Sequence, residues 1–492
     1  MSTNASSSGL SRKLGLAGLA ATGICSMIGA SIYVVPFMIQ RNVPGIGDWV
    51  LPAFLFAAIP ALLAAFAYAS LSSAMPRAGG SYVFASRGLH PYLGFVASFS
   101  QWFGLSIVIG VVAYVVIPFL RDIANSIGWA STAEALNAGW LRVGLSLGLV
   151  WLFVWVNIRG LKAYVKALLP LMVLMFSLGA IVIVTGYTYN HEDFKNSVEG
   201  YRVTKTFPIP SWNTFLAAAA ILFSSFIGLD SIAQAGGEAK NPQKTLPKAI
   251  GLAILGVGIY YFSFASAVYH AVPWQYVAAK AMEQDITATS LLEPLLSPAL
   301  AIFITAGAAI ALINDLPAML LSVSRLVFAW AKDGIFPRAL SATHSTYQTP
   351  NRALVLSGTF ASIGVLGSHF AGDFFLGIDI MVLAMLFNFF MMSLTLLTIP
   401  KINPALAVNI SILKNPGLRK MIAILGILFI GGFMVIHIAK DLNNEVSAWY
   451  FRSTPVWLIV MSLGTMVFAY QYRNRKAEGH NMQKLFNELP DE

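Results

Sequence analysis

Apolar residues along this chain gather into about twelve runs separated by short polar connections. A helix needs roughly 20 apolar residues to cross a bilayer. Runs of that order lie at 15–40, 49–74, 92–119, 141–158, 162–187, 212–236, 247–272, 299–331, 352–370, 374–400, 419–438 and 454–472. Two of them, the first and the sixth, carry nearly the same interruption 199 positions apart. Residues 27–31 read Met27-Ile28-Gly29-Ala30-Ser31, and residues 226–230 read Phe226-Ile227-Gly228-Leu229-Asp230. Backbone in the hydrocarbon layer has no water to bond, so a helix breaks there only where it lines a cavity or a site. Matched breaks in two halves of a chain point to a binding site near the midplane. The offset fits two five-span units followed by two further spans, and an odd number of spans per unit inverts the second unit. The organisation expected is a tail at 1–14, a first five-helix unit at 15–187, a loop at 188–211, a second unit at 212–400, two more helices at 401–472, and a tail at 473–492.

Composition agrees with an all-α integral membrane protein. Of 492 residues, 57% are hydrophobic and 11% charged, with a mean hydropathy of +0.72, whereas soluble domains average about 25% charged. The net charge of +10 would suit nucleic acid, but its distribution points elsewhere. With the N-terminus cytoplasmic, the cytoplasmic loops and tails hold 22 of the 31 Lys and Arg and only 6 acids, against 9 basic and 13 acidic residues outside. That is the positive-inside pattern, so both termini are expected in the cytoplasm, with the chain in the cell membrane and no nucleic-acid partner. Lys240, Lys244 and Lys248 read as anchors of this kind. The first fourteen residues lack a cleavable signal pattern, so the first span is expected to stay. The single cysteine, Cys25, lies inside that span, which leaves no internal disulfide and no disulfide-linked accessory subunit. The seven histidines have no metal-ligand spacing, and no HExxH or phosphate-loop motif occurs, so no enzyme is expected. Outside the spans, Met75–Pro91 reads as an amphipathic element on the membrane face, Ser290–Leu296 as a short surface helix, and the tail beyond Arg473 as disordered at its end.

A broken helix has chemistry of its own. The half-helix after Gly29 begins with free N–H groups of Gly29, Ala30 and Ser31 at its positive dipole end, which suits an anion. The half-helices ending near Met27 and Phe226 expose carbonyls at negative ends, which suit a cation. Side by side, the two recognise a carboxylate beside an ammonium, as in an α-amino acid. The alternative is that Gly23, Gly29 and Gly228 only let intact helices pack closely. Glycine spacing alone fits both.

Further motifs bear on the choice. Ala74-Met75-Pro76-Arg77-Ala78-Gly79-Gly80-Ser81-Tyr82 closely resembles the first cytoplasmic loop of the amino acid–polyamine–organocation permeases. Phe226-Ile227-Gly228-Leu229-Asp230 followed by Gly237-Glu238-Ala239-Lys240-Asn241-Pro242 is similar to that family's sixth span and exit loop, and Asp333-Gly334-Ile335-Phe336-Pro337 with Thr349-Pro350 to its eighth-to-ninth-span connection. The resemblance covers roughly residues 12 to 400. It implies about 12 transmembrane helices in a LeuT-type 5+5 inverted repeat, helices 1 and 6 broken, with alternating-access transport of amino acids or related amines. It also implies site residues. Gly29, Ala30 and Ser31 would receive the substrate carboxylate. The carbonyls of Met27, Ser224 and Ile227 would receive the amino group, with Ile28 and Phe226 in the same breaks. Leu105, Val108 and Met319 would line the side-chain pocket, and all three are apolar here. Ser224 stands where some members place a bulky aromatic lid.

Two acids lie deep within spans, away from their ends, and such residues are functional until shown otherwise. Asp230 opens the second half of span six, where an Asp can cap free N–H groups or act as a gate; recognising a substrate side chain is its other reading. Asp315, beside Asn314 in span eight, would face the carbonyls of Cys25 and Ile28 in the implied fold, where some members hold Na⁺. Asp315 with Asn314 would supply oxygen ligands to Na⁺, or Asp315 would take up a proton; a fixed hydrogen bond between spans eight and one is the third possibility. Met175 occupies the place where some proton-coupled members use lysine. No cofactor beyond the coupling ion is expected. The reading is a cation-coupled permease for neutral or apolar amino acids, monomeric or homodimeric. An exchanger or a cationic amino acid or polyamine transporter using Asp230 is the alternative, and a nutrient-sensing receptor on a transporter scaffold a remote one.

Overall fold

The structure, a computed structural model, describes residues 10–29, 31–198, 201, 206–371, 375–443 and 448–490. Twelve helices in it are long and apolar enough to cross a membrane: Leu16–Asn42, Gly47–Ala74, Pro91–Ser126, Gly139–Ile158, Leu161–Thr188, Trp212–Gln234, Pro242–Ala271, Pro298–Asp333, Asn351–Phe370, Leu376–Ile402, Pro416–Asn443 and Ser453–Ala477, here spans 1 to 12. No strand occurs among the described residues. The protein is a multi-pass membrane protein of all-α class. Spans 3 and 8 are both 36 residues long, both open on proline, and pack against each other. Span 8 also packs against the first half of span 1 and the resumed half of span 6.

Span 1 is helical over Leu16–Met27 and again from Ser31 to Asn42. Ile28 leaves the helix at φ −91°, ψ 81°. Span 6 is helical over Trp212–Leu222, tightens into a 3₁₀ turn at Phe223–Phe226, and resumes only for Ser231–Gln234. Its break centres on Gly228, whose φ of +124° is closed to ordinary side chains. A Cβ on residue 228 would also lie 2.2 Å from the carbonyl oxygen of Ser26. The two breaks therefore touch at backbone level, and a hydrogen bond of 2.9 Å between the Ser26 and Ser231 hydroxyls ties them. Gly23 acts differently: it lies within an intact half-helix, against Ile232.

Two expectations outside the spans need correction, and a third holds with slightly shifted bounds. The stretch after span 2 forms a helix, Gly80–Gly88, but all nine residues are buried inside the protein. It seats on span 6 through a main-chain bond from Gly79 N–H to the Gln234 carbonyl, 3.1 Å, and its polar side chains find protein partners instead of the membrane surface. The C-terminal tail is ordered further than its charge suggests. Span 12 runs to Ala477, and a helix at Met482–Asn487 buries Met482 and Phe486. The short helix near 290 is present as Ala288–Leu292 with a 3₁₀ turn at Glu293–Leu295; helices at Ala130–Asn137, His191–Ser197 and Trp274–Glu283 accompany it on the loops of the same face. The first and last described residues lie on the opposite face. Leu14 exchanges main-chain bonds with Glu238 and Lys240, at 2.9 and 2.8 Å, and Arg77 Nε donates to the Pro490 carbonyl, 2.9 Å.

Candidate functional site

A cavity of about 150 Å³ opens where the two breaks meet. Met27, Gly29 and Ser31 of span 1, Val108 of span 3, Ser224 and Ile227 of span 6, and Asp315 and Met319 of span 8 line it. So do Ser26, Val34, Val35, Val111, Val112, Val115, Leu312, Ile378 and Met381, which the sequence reading missed. Several have a readable signal: Val108, Val111, Val112 and Val115 recur at i, i+3, i+4 and i+7, one face of a helix. Ile378 and Met381 carry none, because span 10 meets the cavity only in three dimensions. Val34, Val35, Val112, Val115 and Ile378 are only partly buried, so the cavity widens toward the face opposite the termini.

Not every expected residue reaches the cavity. Leu105 is fully buried one turn along span 3 and is not in the lining; Ile28 is likewise buried. Phe226 turns toward span 2, its ring 5.2 Å from that of Phe54. Ala30 lies outside the described residues.

The backbone groups at the breaks are partly committed. Tyr261 of span 7 donates its hydroxyl proton to the Met27 carbonyl at 3.0 Å and stands 2.5 Å from Ser31 Oγ. With that proton spent, Ser31 must be the donor in the second bond. Tyr261 thus bridges both sides of the span 1 break. The Ser224 carbonyl accepts the Ile227 N–H at 3.1 Å. Each of these carbonyls keeps a second lone pair, so the cavity still presents acceptors beside the N-terminal end of the Ser31–Asn42 half-helix.

The two intramembrane acids have separate surroundings. Asp315 lines the cavity and makes no hydrogen bond to any described residue; its Oδ1 is buried without a partner. A Cβ at residue 29 would lie 3.0 Å from Asp315 Oδ2, so the carboxyl rests on the glycine of the break. Its neighbour Asn314 turns away, its amide set between Cys25 Sγ at 3.0 Å and the main chain of Leu168 and Met172 in span 5. Asp230 is buried outside the cavity and accepts from Gln101 Nε2 of span 3. Gln101 Oε1 in turn accepts from Ser81 Oγ at 2.5 Å and Asn388 Nδ2 at 2.7 Å, and Tyr68 donates to Asn388 at 2.6 Å. The side chain of Asp230 does not cap the helix that follows. The residue is itself in helical conformation, at φ −63°, ψ −27°, and its carboxylate is engaged by Gln101 of span 3.

Between this network and the termini the protein is closed by two buried ion pairs. Arg325 binds Glu238 at 2.5 and 3.0 Å, and Arg87 binds Asp333 at 2.5 and 2.9 Å. Tyr82 adds a 2.5 Å bond to Asp333. Burial disfavours the Arg87 charge, but the Asp333 carboxylate and its hydrogen bonds outweigh burial and push the guanidinium pKa up. The remaining Arg87 donors reach the carbonyls of Leu485 and Glu488 at 3.3 and 3.2 Å, and Phe486 lies under the guanidinium at 5.2 Å. The C-terminal helix is therefore part of the closed face.

Arranged this way, the molecule holds a membrane-buried pocket at two crossed helix breaks, reachable from one face and sealed on the other. That is the architecture of a membrane transporter. The family model for amino acid permeases matches residues 14–463, and the chain belongs to that family. It is 29% identical over 365 residues to a vacuolar cationic amino acid transporter 2 of Arabidopsis thaliana, a match covering 72% of this chain but only 55% of that protein. It is 26% identical over 386 residues to a branched-chain amino acid permease of Bacillus subtilis, covering 73% and 75% of the two chains, and 25% identical over 385 residues to a methylthioribose transporter of the same organism, covering 75% and 77%.

Proposed function

We propose that this permease takes up neutral, apolar amino acids by secondary active transport, driven by a cation that binds at Asp315. The observation carrying the reading is the position of Asp315, unpartnered and against Gly29 at the positive end of a half-helix. An ionised carboxylate there would repel the carboxylate of a substrate seated on the same helix end. Neutralising Asp315 removes the repulsion, so cation and substrate favour each other's binding, and linkage makes the effect reciprocal. A proton fits the surroundings better than Na⁺, which wants several oxygens, because the Asn314 amide is engaged with spans 1 and 5.

The valine face of span 3, with Met319, Leu312, Ile378 and Met381, suits an apolar substrate side chain. A missing methylene changes affinity in such a pocket by only about 1–3 kcal/mol, so a broad range of neutral substrates is expected. One observation favours a second reading: Asp315 in the cavity would also receive a cationic group, as in a cationic amino acid transporter. Asp230, engaged by Gln101, does not serve that role. The positive-inside pattern supports termini in the cytoplasm of a plasma-membrane protein, with the cavity opening outward and the ion-paired face inward. Uptake by proteoliposomes against a panel of labelled amino acids, with pH and Na⁺ gradients imposed separately, tests the reading. Accumulation of branched-chain or other apolar substrates under an inward proton gradient supports it, and preferential uptake of arginine or lysine overturns the substrate assignment.

A further inference from the structure

A second concave surface has nothing to do with the cavity at the breaks. It is a groove of about 380 Å³ between spans 2 and 7, bordered at the face that carries the termini by Ser411 and Ile412 of the loop between spans 10 and 11. Its walls are apolar, with Phe66 and Ala69 from span 2 and Pro247, Gly251 and Leu255 from span 7. Phe66 and Leu255 are 43% and 58% exposed, so the groove faces the lipid and not the protein interior. Its size falls within the range of ligand-binding clefts, about 300–1,000 Å³.

The mouth of the groove, on the face that carries the termini, has the opposite character. Lys244 and Lys248, one turn apart on span 7, line it with Gln243. Both lysines are exposed, and neither forms an ion pair with a described residue. Lys414 lies two residues beyond Ile412. None of the three segments forming the groove has an acid to offer: residues 49–121, 239–282 and 401–440 contain no Asp or Glu. A slot for a hydrocarbon chain thus ends at the membrane edge in uncompensated positive charge. Basic pockets between membrane helices are suited to anionic lipid head groups.

We propose that this groove is a binding site for an anionic phospholipid, one acyl chain lying between spans 2 and 7 and the phosphate seated at Lys244 and Lys248. A zwitterionic lipid fits the slot equally well but brings its own cation to the lysines, so the charge selects the anionic head group. The groove offers a clean way to separate tail from head. A Cβ on Gly251 meets nothing within 4 Å, so Gly251→Phe fills the slot without disturbing the protein and leaves both lysines in place.

The test is native mass spectrometry of the purified full chain in mild detergent, titrated with phosphatidylglycerol, phosphatidylcholine or soluble glycerol phosphate. The expected result is one retained phosphatidylglycerol per chain in preference to phosphatidylcholine, and no retained glycerol phosphate. Lys244→Gln/Lys248→Gln should lower that preference roughly tenfold or more, from the near-surface value of a lysine at an anionic lipid. Gly251→Phe should lower retention of both lipids. Lys162→Gln/Lys166→Gln, an exposed basic pair at the start of span 5, should change neither. Equal retention of the two lipids, a preference that survives the lysine and Gly251 variants, or an equal loss in the span 5 control overturns the proposal.

Discussion

The Tyr261 hydroxyl donates to the Met27 carbonyl at 3.0 Å, across the point where span 1 stops being a helix. The carbonyls ending a helix have lost their intrahelical donors, and in the hydrocarbon layer each needs another. Tyr261 supplies one and, through Ser31 Oγ at 2.5 Å, also holds the start of the next half-helix. Tyr261→Phe removes both bonds and leaves the ring packed. Leaving buried groups unsatisfied costs about 1–3 kcal/mol, so substrate affinity should fall roughly tenfold with yield and monodispersity unchanged. Measured binding equal to the wild type would show that the break holds itself open without the tyrosine.

Gly228 allows no side chain. Gly228→Ala places a methyl carbon at a disallowed φ and against the Ser26 carbonyl, so the variant should reach the membrane but lose transport. Gly29→Leu should do the same by pushing into Asp315, whose carboxyl already stands 3.0 Å from a Cβ at that position. Surface expression compared with uptake separates the two effects.

The apolar lining and the engagement of Asp230 by Gln101 make a joint prediction about selectivity. Unlabelled leucine, isoleucine or valine should compete for uptake better than arginine, lysine or polyamines. Asp230→Asn should lower stability, because it alters a buried network, without changing the order of competitors. A reversed order, or arginine uptake lost in Asp230→Asn alone, would return Asp230 to substrate recognition.

At the closed face, the two partners of the Arg87–Asp333 pair should be coupled. Removing one partner strands the other charge, at about 3–5 kcal/mol in comparable buried pairs. Arg87→Ala and Asp333→Ala should each lower the thermal midpoint sharply, and the double variant by clearly less than the sum. Additive losses would mean that the pair contributes little to closing this face.

The twelve spans were legible because crossing a bilayer demands a long apolar run, and the breaks because a glycine-centred interruption in such a run has few other uses. The lining was legible only in part. Val108 and Met319 point into the cavity, but Leu105 lies one turn out of register on the unbroken span 3, and Phe226 rotates toward Phe54 where span 6 leaves its helix. The same limit hid the difference between the two acids: sequence places Asp230 and Asp315 in the membrane but not the direction of their side chains. The stretch Met75–Pro91 reads as a surface element because it mixes Arg77, Arg87 and His90 with Tyr82 and Phe84, yet Arg87 and Tyr82 are bound by Asp333 of span 8. Tyr261 gave no signal, since a tyrosine in an apolar span serves packing as readily as a hydrogen bond.

The central claim is that Asp315 couples the cation to the substrate, and Asp315→Asn tests it most directly, because the amide keeps the shape and removes the charge. Wild-type and variant proteoliposomes would be loaded identically, and accumulation of a labelled apolar amino acid measured with and without an imposed inward proton gradient, and separately a Na⁺ gradient. The account predicts that the wild type concentrates substrate under one of these gradients, while the variant binds and exchanges substrate but no longer concentrates it under either. A variant that still concentrates substrate with the same ion dependence would contradict the account and leave Asp315 a structural residue.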